Sequence, residues 1–322
     1  VTGPDSTVVV VTWRGRASIE ACLDGLAGQT RPHHLMVVDN ASGDGTAELL
    51  ARHPSRPRVL RLARNEGYAG GLAAALTLVQ TRYMAWLNDD AVPEPGWLAA
   101  CENALGADPH VAAVSSVLLR PDGGIQSTGV GLTADGHGYD RAPHQAESHF
   151  QHAPCEVFGF CGGAALLRLD ALRAVGGVPA EFFCYYEDTD TSWRLRLAGW
   201  RVLGQPAARV THEHGVSTGL NSARFHRWNE RNRLLTLVRC APAATAAAQL
   251  GKFAAITAAL PARRLRGHRP GAANFTVALR LRVLGELAAR LPSALLSRWR
   301  IGGDRRTVWR DWSEQGCSDQ LP

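Results

Sequence analysis

Residues 7–13, TVVVVTW, constrain the fold more than any other stretch. An unbroken β-branched run of this length suits a strand buried on both faces, which needs helices above and below its sheet. Ile19, Leu23 and Leu26 then fall at helical spacing and predict a helix over 17–28. LMVVD at 35–39 predicts a second buried strand. A helix over 46–53, a strand over 58–62, a helix over 70–80 and a strand over 83–87 continue the alternation. This order implies an α/β fold, a mostly parallel sheet flanked by helices. Such sheets bind ligands beyond the carboxyl ends of their strands. The polar clusters Asp39-Asn40, Arg64-Asn65-Glu66 and Asn88-Asp89-Asp90 all fall at those ends.

Further along, residues 121–154 turn to Gly, His, Asp and Ser with little periodicity, which predicts a long mobile loop over the site. Strands over 156–160 and 164–168 flank Cys161-Gly162-Gly163. A short helix runs from Asp170 to Gly176-Gly177. Another covers 191–198, with Asp190 as its N-cap and Gly199 as its terminator. A short strand over 208–211 follows. Beyond Ser222 the pattern is helical over 224–239, 243–260, 272–290 and 293–300. The expected organisation is a catalytic α/β domain over 1–240 and a basic amphipathic helical extension over 241–322.

Charge separates the same two parts. The 322-residue chain carries a formal +6. Between Lys252 and Arg310, twelve Arg and one Lys face only Glu286 and Asp304, a local +11 that leaves −5 for the rest. Nucleic-acid recognition needs a basic face beside its recognition elements, and the motifs here lie in the acidic part, so nucleic acid is not expected. The basic extension interleaves Arg with Leu, Val and Trp. That suits a peripheral helix on anionic lipid, a helix packed on the body or a homo-oligomer interface. The stretch 241–262 is broken by Pro242, Gln249, Lys252 and Pro261, which argues against a membrane span. Seven Cys without a C-x-x-C pair, and no signal-peptide pattern at the start, lead to the expectation of a reducing cytoplasm, extending to the inner face of the plasma membrane.

Several groups could carry chemistry. Asn88-Asp89-Asp90 suits a hard divalent cation that also takes phosphate oxygens, or a turn whose Asp caps the helix starting near Pro95. Tyr185-Tyr186-Glu187-Asp188-Thr189-Asp190 places three acids beside aromatics. Desolvation there would raise a carboxyl toward a useful general base, while helix-dipole acids are the plainer reading. His212 and His214 flank Glu213, and one of the two imidazoles is expected to face a shared site. The stretch 65–71, NEGYAGG, is neither a Walker loop nor a G-x-G-x-x-G fingerprint. Trp13-Arg14-Gly15-Arg16 after the first strand argues against a dinucleotide enzyme.

Taken in order, VVVVTW, VVDNASGDGT, RNEGYAGG, WLNDDAVPEPGW, FGFCGGAALLRLDALRAVGG, FFCYYEDTDTSWRLRLAGW, RVTHEHGVS and WNERNRLL resemble the nucleotide-sugar glycosyltransferases of family 2, in particular the bacterial rhamnosyltransferase-like branch. The resemblance runs from Val8 to about Arg233. It implies a GT-A fold with a Rossmann-like sheet, and an inverting, metal-dependent transfer from dTDP-rhamnose or a UDP-sugar. The acceptor it implies is a hydroxyl of a cell-envelope glycan, a lipid-linked glycan or a small natural product. By the same resemblance Thr12, Arg14, Asp39, Asn40, Asn65, Gly67, Gly71, Asn88 and Asp89 lie at the donor nucleotide, with Asp39 on the base. Asp90 and His212, with His214 as second choice, hold Mn²⁺ or Mg²⁺. Gly162 and Gly163 let the backbone approach donor or acceptor, and Asp188 of the Glu187-Asp188 pair is the catalytic base. Leu72-Ala73 departs from the family, which often has Asn there. The competing readings are a sugar nucleotidyltransferase, which the single Lys252 disfavours, and a non-catalytic nucleotide-sugar-binding module, which the retained carboxylates disfavour.

Overall fold

The computed structural model describes residues 3–141, 153–213, 222–266 and 273–313. The chain divides into two compact units, one of residues 1–131 and 139–214, the other of 132–138 and 215–322. The boundary expected near residue 240 thus falls within the second unit, at the end of a helix.

The first unit is built on a ten-stranded mixed sheet. Its elements begin β1 (Ser6–Thr12), α1 (Ile19–Ala27), β2 (His34–Asp39), α2 (Thr46–Arg52), β3 (Arg58–Arg61), α3 (Gly67–Leu76) and β4 (Tyr83–Asn88), close to the predicted alternation. They continue with β5 (Ala91–Pro93), α4 (Trp97–Ala107), β6 (Val111–Leu119), β7 (Ile125–Ser127), β8 (Val130–Leu132), β9 (Gly138–Asp140), β10 (Cys155–Glu156), β11 (Ala164–Arg168), α5 (Leu169–Ala174), α6 (Glu187–Leu197) and β12 (Arg201–His212). The main order is β10-β12-β6-β11-β4-β1-β2-β3. β1 pairs in parallel with β2 and β4, and β2 with β3, whereas β11 runs antiparallel to both β4 and β6. Every residue of β1 is buried, as its β-branched run requires. Val8, Val10, Ile19, Leu23, Leu26 and Trp97 share one core beneath it. Two edge-to-face pairs, Trp86–Phe160 at 5.2 Å and Phe158–Trp193 at 5.7 Å, tie the sheet to the segment after β10 and to α6.

Four sequence expectations change here. The stretch read as one loop over 121–154 contains β7, β8 and β9, with 142–152 outside the described residues. Three-residue strands are too short for alternation to show. The strand predicted over 156–160 is reduced to β10 and a single bridge from Gly159 to Val130. α6 starts at Glu187, so Glu187 and Asp188 lie in its first turn, and Asp190 is not its N-cap. Asp190 instead forms a buried ion pair with Arg194, one turn on, at 2.6 Å. β12 is twelve residues long and not four. It stays in the sheet through a register shift between Gln205 and Arg209, opposite β6.

The described helices of the second unit are α7 (Ala223–Cys240), α8 (Ala243–Leu265), α9 (Val277–Arg300) and α10 (Arg305–Ser313). Ser222 caps α7 by accepting from the Phe225 N–H at 3.1 Å. α9 runs through Pro292 as one helix where the sequence predicts two. α10 was not expected; Asp304 starts it by accepting from the Arg306 N–H at 2.9 Å and the Thr307 hydroxyl at 2.8 Å.

Candidate functional site

The sheet register brings three strand ends together. Thr12 lies opposite Asp39 across β1 and β2, and Val11 opposite Asn88 across β1 and β4. The Thr12 hydroxyl donates to Asp89 Oδ2 at 2.6 Å. A side chain at Gly15 would overlap both of those oxygens, so Gly15, which the motif reading passed over, is required for this contact. Burial, with Asp90 next door, pushes the Asp89 carboxyl up to about 6 against the Thr12 hydrogen bond.

Asp39 is fully buried. Its Oδ1 accepts from the Ser42 N–H at 2.9 Å, and its Oδ2 faces Arg61 Nε at 3.6 Å without a hydrogen bond. A buried carboxylate oxygen left this way awaits a donor. Ser42 Oγ accepts from the N–H of Arg14, whose φ of +57° is left-handed, as is that of Ala41 at +58°. Backbone strain of this kind concentrates at ligand sites. Asn40, Asn65, Gly67 and Gly71 all have partners within the protein. Asn40 Nδ2 donates to Gly67 O at 3.0 Å and its Oδ1 accepts from the Glu66 N–H at 3.2 Å. Asn65 Oδ1 accepts from the Gly67 N–H at 2.8 Å. Gly71 lies inside α3, not in a loop, and a Cβ there would strike the Val11 side chain.

Asp90 and His212 meet although 122 positions separate them, because β5 turns back to pair with β12 and sets His212 opposite Ala91. His212 Nε2 lies 3.0 Å from Asp90 Oδ1 and 3.0 Å from Asn88 Nδ2. Its Nδ1 lies 3.0 Å from Gln126 Oε1. With Gln126 taking the Nδ1 proton, the Nε2 lone pair faces the Asn88 amide and the Asp90 carboxylate, a donor set that could take a cation in place of the amide contact. Among the described residues no group of three His, Cys, Asp or Glu side chains converges on one point. Two protein ligands of this chemistry fit a divalent ion that completes its shell with phosphate oxygens and water. Gln126 sits on β7, inside the stretch the sequence reads as loop, and no motif marked it. His214 lies outside the described residues.

The Glu187-Asp188 pair opens α6 after an unusual approach. Phe183, Tyr185 and Tyr186 have φ of +66°, +72° and +69°, all without glycine's freedom. Gly67, at φ +75°, packs on the Phe183 carbonyl where a side chain would overlap it, and the Ala69 N–H donates to that carbonyl at 3.1 Å. Asp188 Oδ2 accepts from the Gly162 N–H at 2.9 Å and its Oδ1 from the Thr189 N–H at 2.6 Å. Tyr68 Oη donates to the Gly162 carbonyl at 2.6 Å, and the Asn88 N–H to the Gly163 carbonyl at 3.0 Å. Gly162 and Gly163 are therefore the bridge between the acid pair and the Asn88-Asp89-Asp90 turn. Burial raises the Asp188 carboxyl, with Asp140 of β9 adding like charge. Glu187 is 6% exposed, its Oε2 has no hydrogen-bond partner, and burial beside Asp188 lifts it to about 8. Both neighbouring carboxyls are thus raised by burial, Glu187 to about 8.

The sequence model of Glycosyl transferase family 2 matches residues 7–176. The N-acetylglucosaminyl-diphospho-decaprenol L-rhamnosyltransferase of Mycobacterium tuberculosis is 28% identical over 242 residues, covering 67% of this chain and 78% of that protein. Among solved structures, a mannosyltransferase from Pyrobaculum calidifontis in complex with GDP-Man and Mn²⁺ superposes with a TM-score of 0.55 at 22% identity, over 90% of this chain and 87% of that one. GalNAc-T7 with UDP, GalNAc and Mn²⁺ gives 0.61 at 12% identity, over 91% and 58%. At these identities the structural likeness speaks for the fold, which is GT-A.

Proposed function

The chain belongs to Glycosyl transferase family 2, and from that premise we propose that it moves a sugar, with inversion, from a nucleoside diphosphate donor to an acceptor hydroxyl in a metal-dependent reaction. The observation that carries this reading is the convergence at one sheet end of a buried carboxylate oxygen without a hydrogen bond on Asp39, the Asp90–His212 pair and the Glu187-Asp188 pair. The Asp39 Oδ2 atom accepts a base N–H, and Thr12 and Arg14 flank the nucleoside. Asp90 and His212 would hold the divalent ion, with Gln126 fixing the imidazole through Nδ1 and Asn88 giving up its contact with Nε2. When bound, that ion neutralises the departing diphosphate as a Lewis acid.

Asp188 acts as the base. Its carboxylate takes the proton from the acceptor hydroxyl as that oxygen attacks the anomeric carbon, and the bond to the diphosphate breaks on the opposite face. Gly162 orients it through the N–H held at 2.9 Å. Glu187, kept protonated by burial, leaves the negative charge of the pair on Asp188. The relative from Mycobacterium tuberculosis, by name an L-rhamnosyltransferase of a diphospho-decaprenol, supports a rhamnosyl donor and a lipid-linked acceptor; dTDP-rhamnose is the first donor proposed and UDP-sugars the second class.

A thermal-shift panel of dTDP-, UDP- and GDP-sugars with Mn²⁺, followed by assay of nucleoside diphosphate release, tests the reading. Stabilisation and release by one donor class is the expected result. No stabilisation and no release by any of them would remove it.

A further inference from the structure

Beyond the reaction, and independently of it, the second unit carries a surface that the fold leaves uncovered. α9 buries one face through Arg280, Val283, Leu287 and Ala294. Its exposed face is also apolar: Leu281, Ala288, Pro292, Leu295, Leu296 and Trp299 lie along one side of the helix. Trp299 is 83% exposed and Leu281 56%. Among the described residues nothing covers this face. α8 repeats the pattern with small residues, Ala247, Ala254 and Ala258 exposed and Leu265 at its end. α8 forms where the sequence predicts a helix; although its interrupting residues argue against a span, Ala243–Arg263 is long and apolar enough to cross a membrane by length and composition, and 22% of its apolar window is buried. That low burial distinguishes it from the core helix of a water-soluble protein.

The charges bordering these faces decide what covers them. α8 has no carboxylate, and Lys252 and Arg263 edge its apolar side. On α9 the exposed charges are Arg282 and Arg300. The one acid of α9, Glu286, is already shared by Arg227, Arg231 at 3.1 Å and Arg282 at 3.2 Å, so the surroundings keep an excess of positive charge. A second copy of the chain on this face would bring arginine edges together, which is unfavourable. An anionic bilayer satisfies both features, since it accepts the apolar side chains and pairs its phosphates with the flanking arginines. Lys252 near the middle of α8 opposes a transmembrane path, so the helix lies along the interface.

We propose that α8 and α9 dock the chain on an anionic lipid surface, with Leu281, Leu296 and Trp299 entering the acyl boundary and Arg282 and Arg300 at the headgroups. The test is co-sedimentation of the full chain with vesicles of phosphatidylglycerol and phosphatidylcholine in equal parts, against phosphatidylcholine alone. Wild type should pellet with the anionic vesicles and be released by salt. A Leu281→Gln, Leu296→Gln, Trp299→Gln variant, shown folded by circular dichroism, should lose partitioning by roughly tenfold for each large side chain. Should that variant unfold, brominated lipid provides a second readout. It should quench wild-type tryptophan fluorescence and quench Trp299→Phe distinctly less.

Three outcomes would overturn the proposal. One is equal pelleting of wild type with both vesicle types. Another is pelleting of the folded triple variant at the wild-type level. The third is a concentration-dependent dimer, abolished by the same substitutions, in a chain that does not pellet.

Discussion

At the residue scale, two carboxyls open α6, and burial raises both. Burial pushes Glu187 to about 8, whereas an ordinary glutamate titrates near 4.5. A carboxyl with a raised folded-state value favours folding fully below its unfolded value and loses that contribution as pH climbs. Stability should therefore fall between about pH 4.5 and 8, by at most about 1.4 kcal/mol per pH unit from this group. Glu187→Gln should remove that slope, which urea titrations at pH 5 and pH 8 would show. The same variant should keep turnover within roughly tenfold, because an amide reproduces the neutral side chain. Asp188 is raised by burial as well, so the acidic limb of turnover should lie above the ordinary aspartate value of about 3.9. Asp90→Ala should weaken nucleotide binding in Mn²⁺ and leave metal-free binding nearly unchanged, as calorimetry with and without the ion would report.

At the element scale, the first four strands and three helices were legible because β-branched runs and helical spacing are long there. β6 was missed although fully buried, since VAAVSSVLL mixes small residues that fit either structure. The start of α6 was misplaced for a physical reason. Asp190 has the chemistry of a cap, yet its charge is consumed by Arg194, and the chain enters the helix through three left-handed aromatics that no propensity favours. Asp39, Asp90, Glu187 and Asp188 could be singled out by motif. Gln126 and Gly15 could not, because their roles depend on register and close approach and not on residue pattern. Gly67 links these elements, with its φ of +75° and its contact with the Phe183 carbonyl. Gly67→Ala should destabilise by at least ~1 kcal/mol and reduce turnover by displacing the approach to Glu187-Asp188. Chemical denaturation and donor turnover on the same sample would check both.

At the scale of the whole molecule, the two compact units match the division of charge, with an acidic sheet that carries the site motifs and a helical part that holds half of the arginine but only seven of the 29 carboxylates. The basic pI of about 9.2 therefore says nothing of the substrate. With only two protein ligands offered at Asp90 and His212, metal and nucleotide should bind cooperatively. Mn²⁺ and the nucleotide together should raise the melting temperature by more than the sum of each alone; additive shifts would mean separate sites. The most direct measurement is nucleoside diphosphate release by wild type and Asp188→Asn, paired with nucleotide affinity on both proteins. The account predicts a loss of turnover of ~10²–10⁴-fold with affinity nearly unchanged. Turnover of Asp188→Asn close to wild type would contradict it.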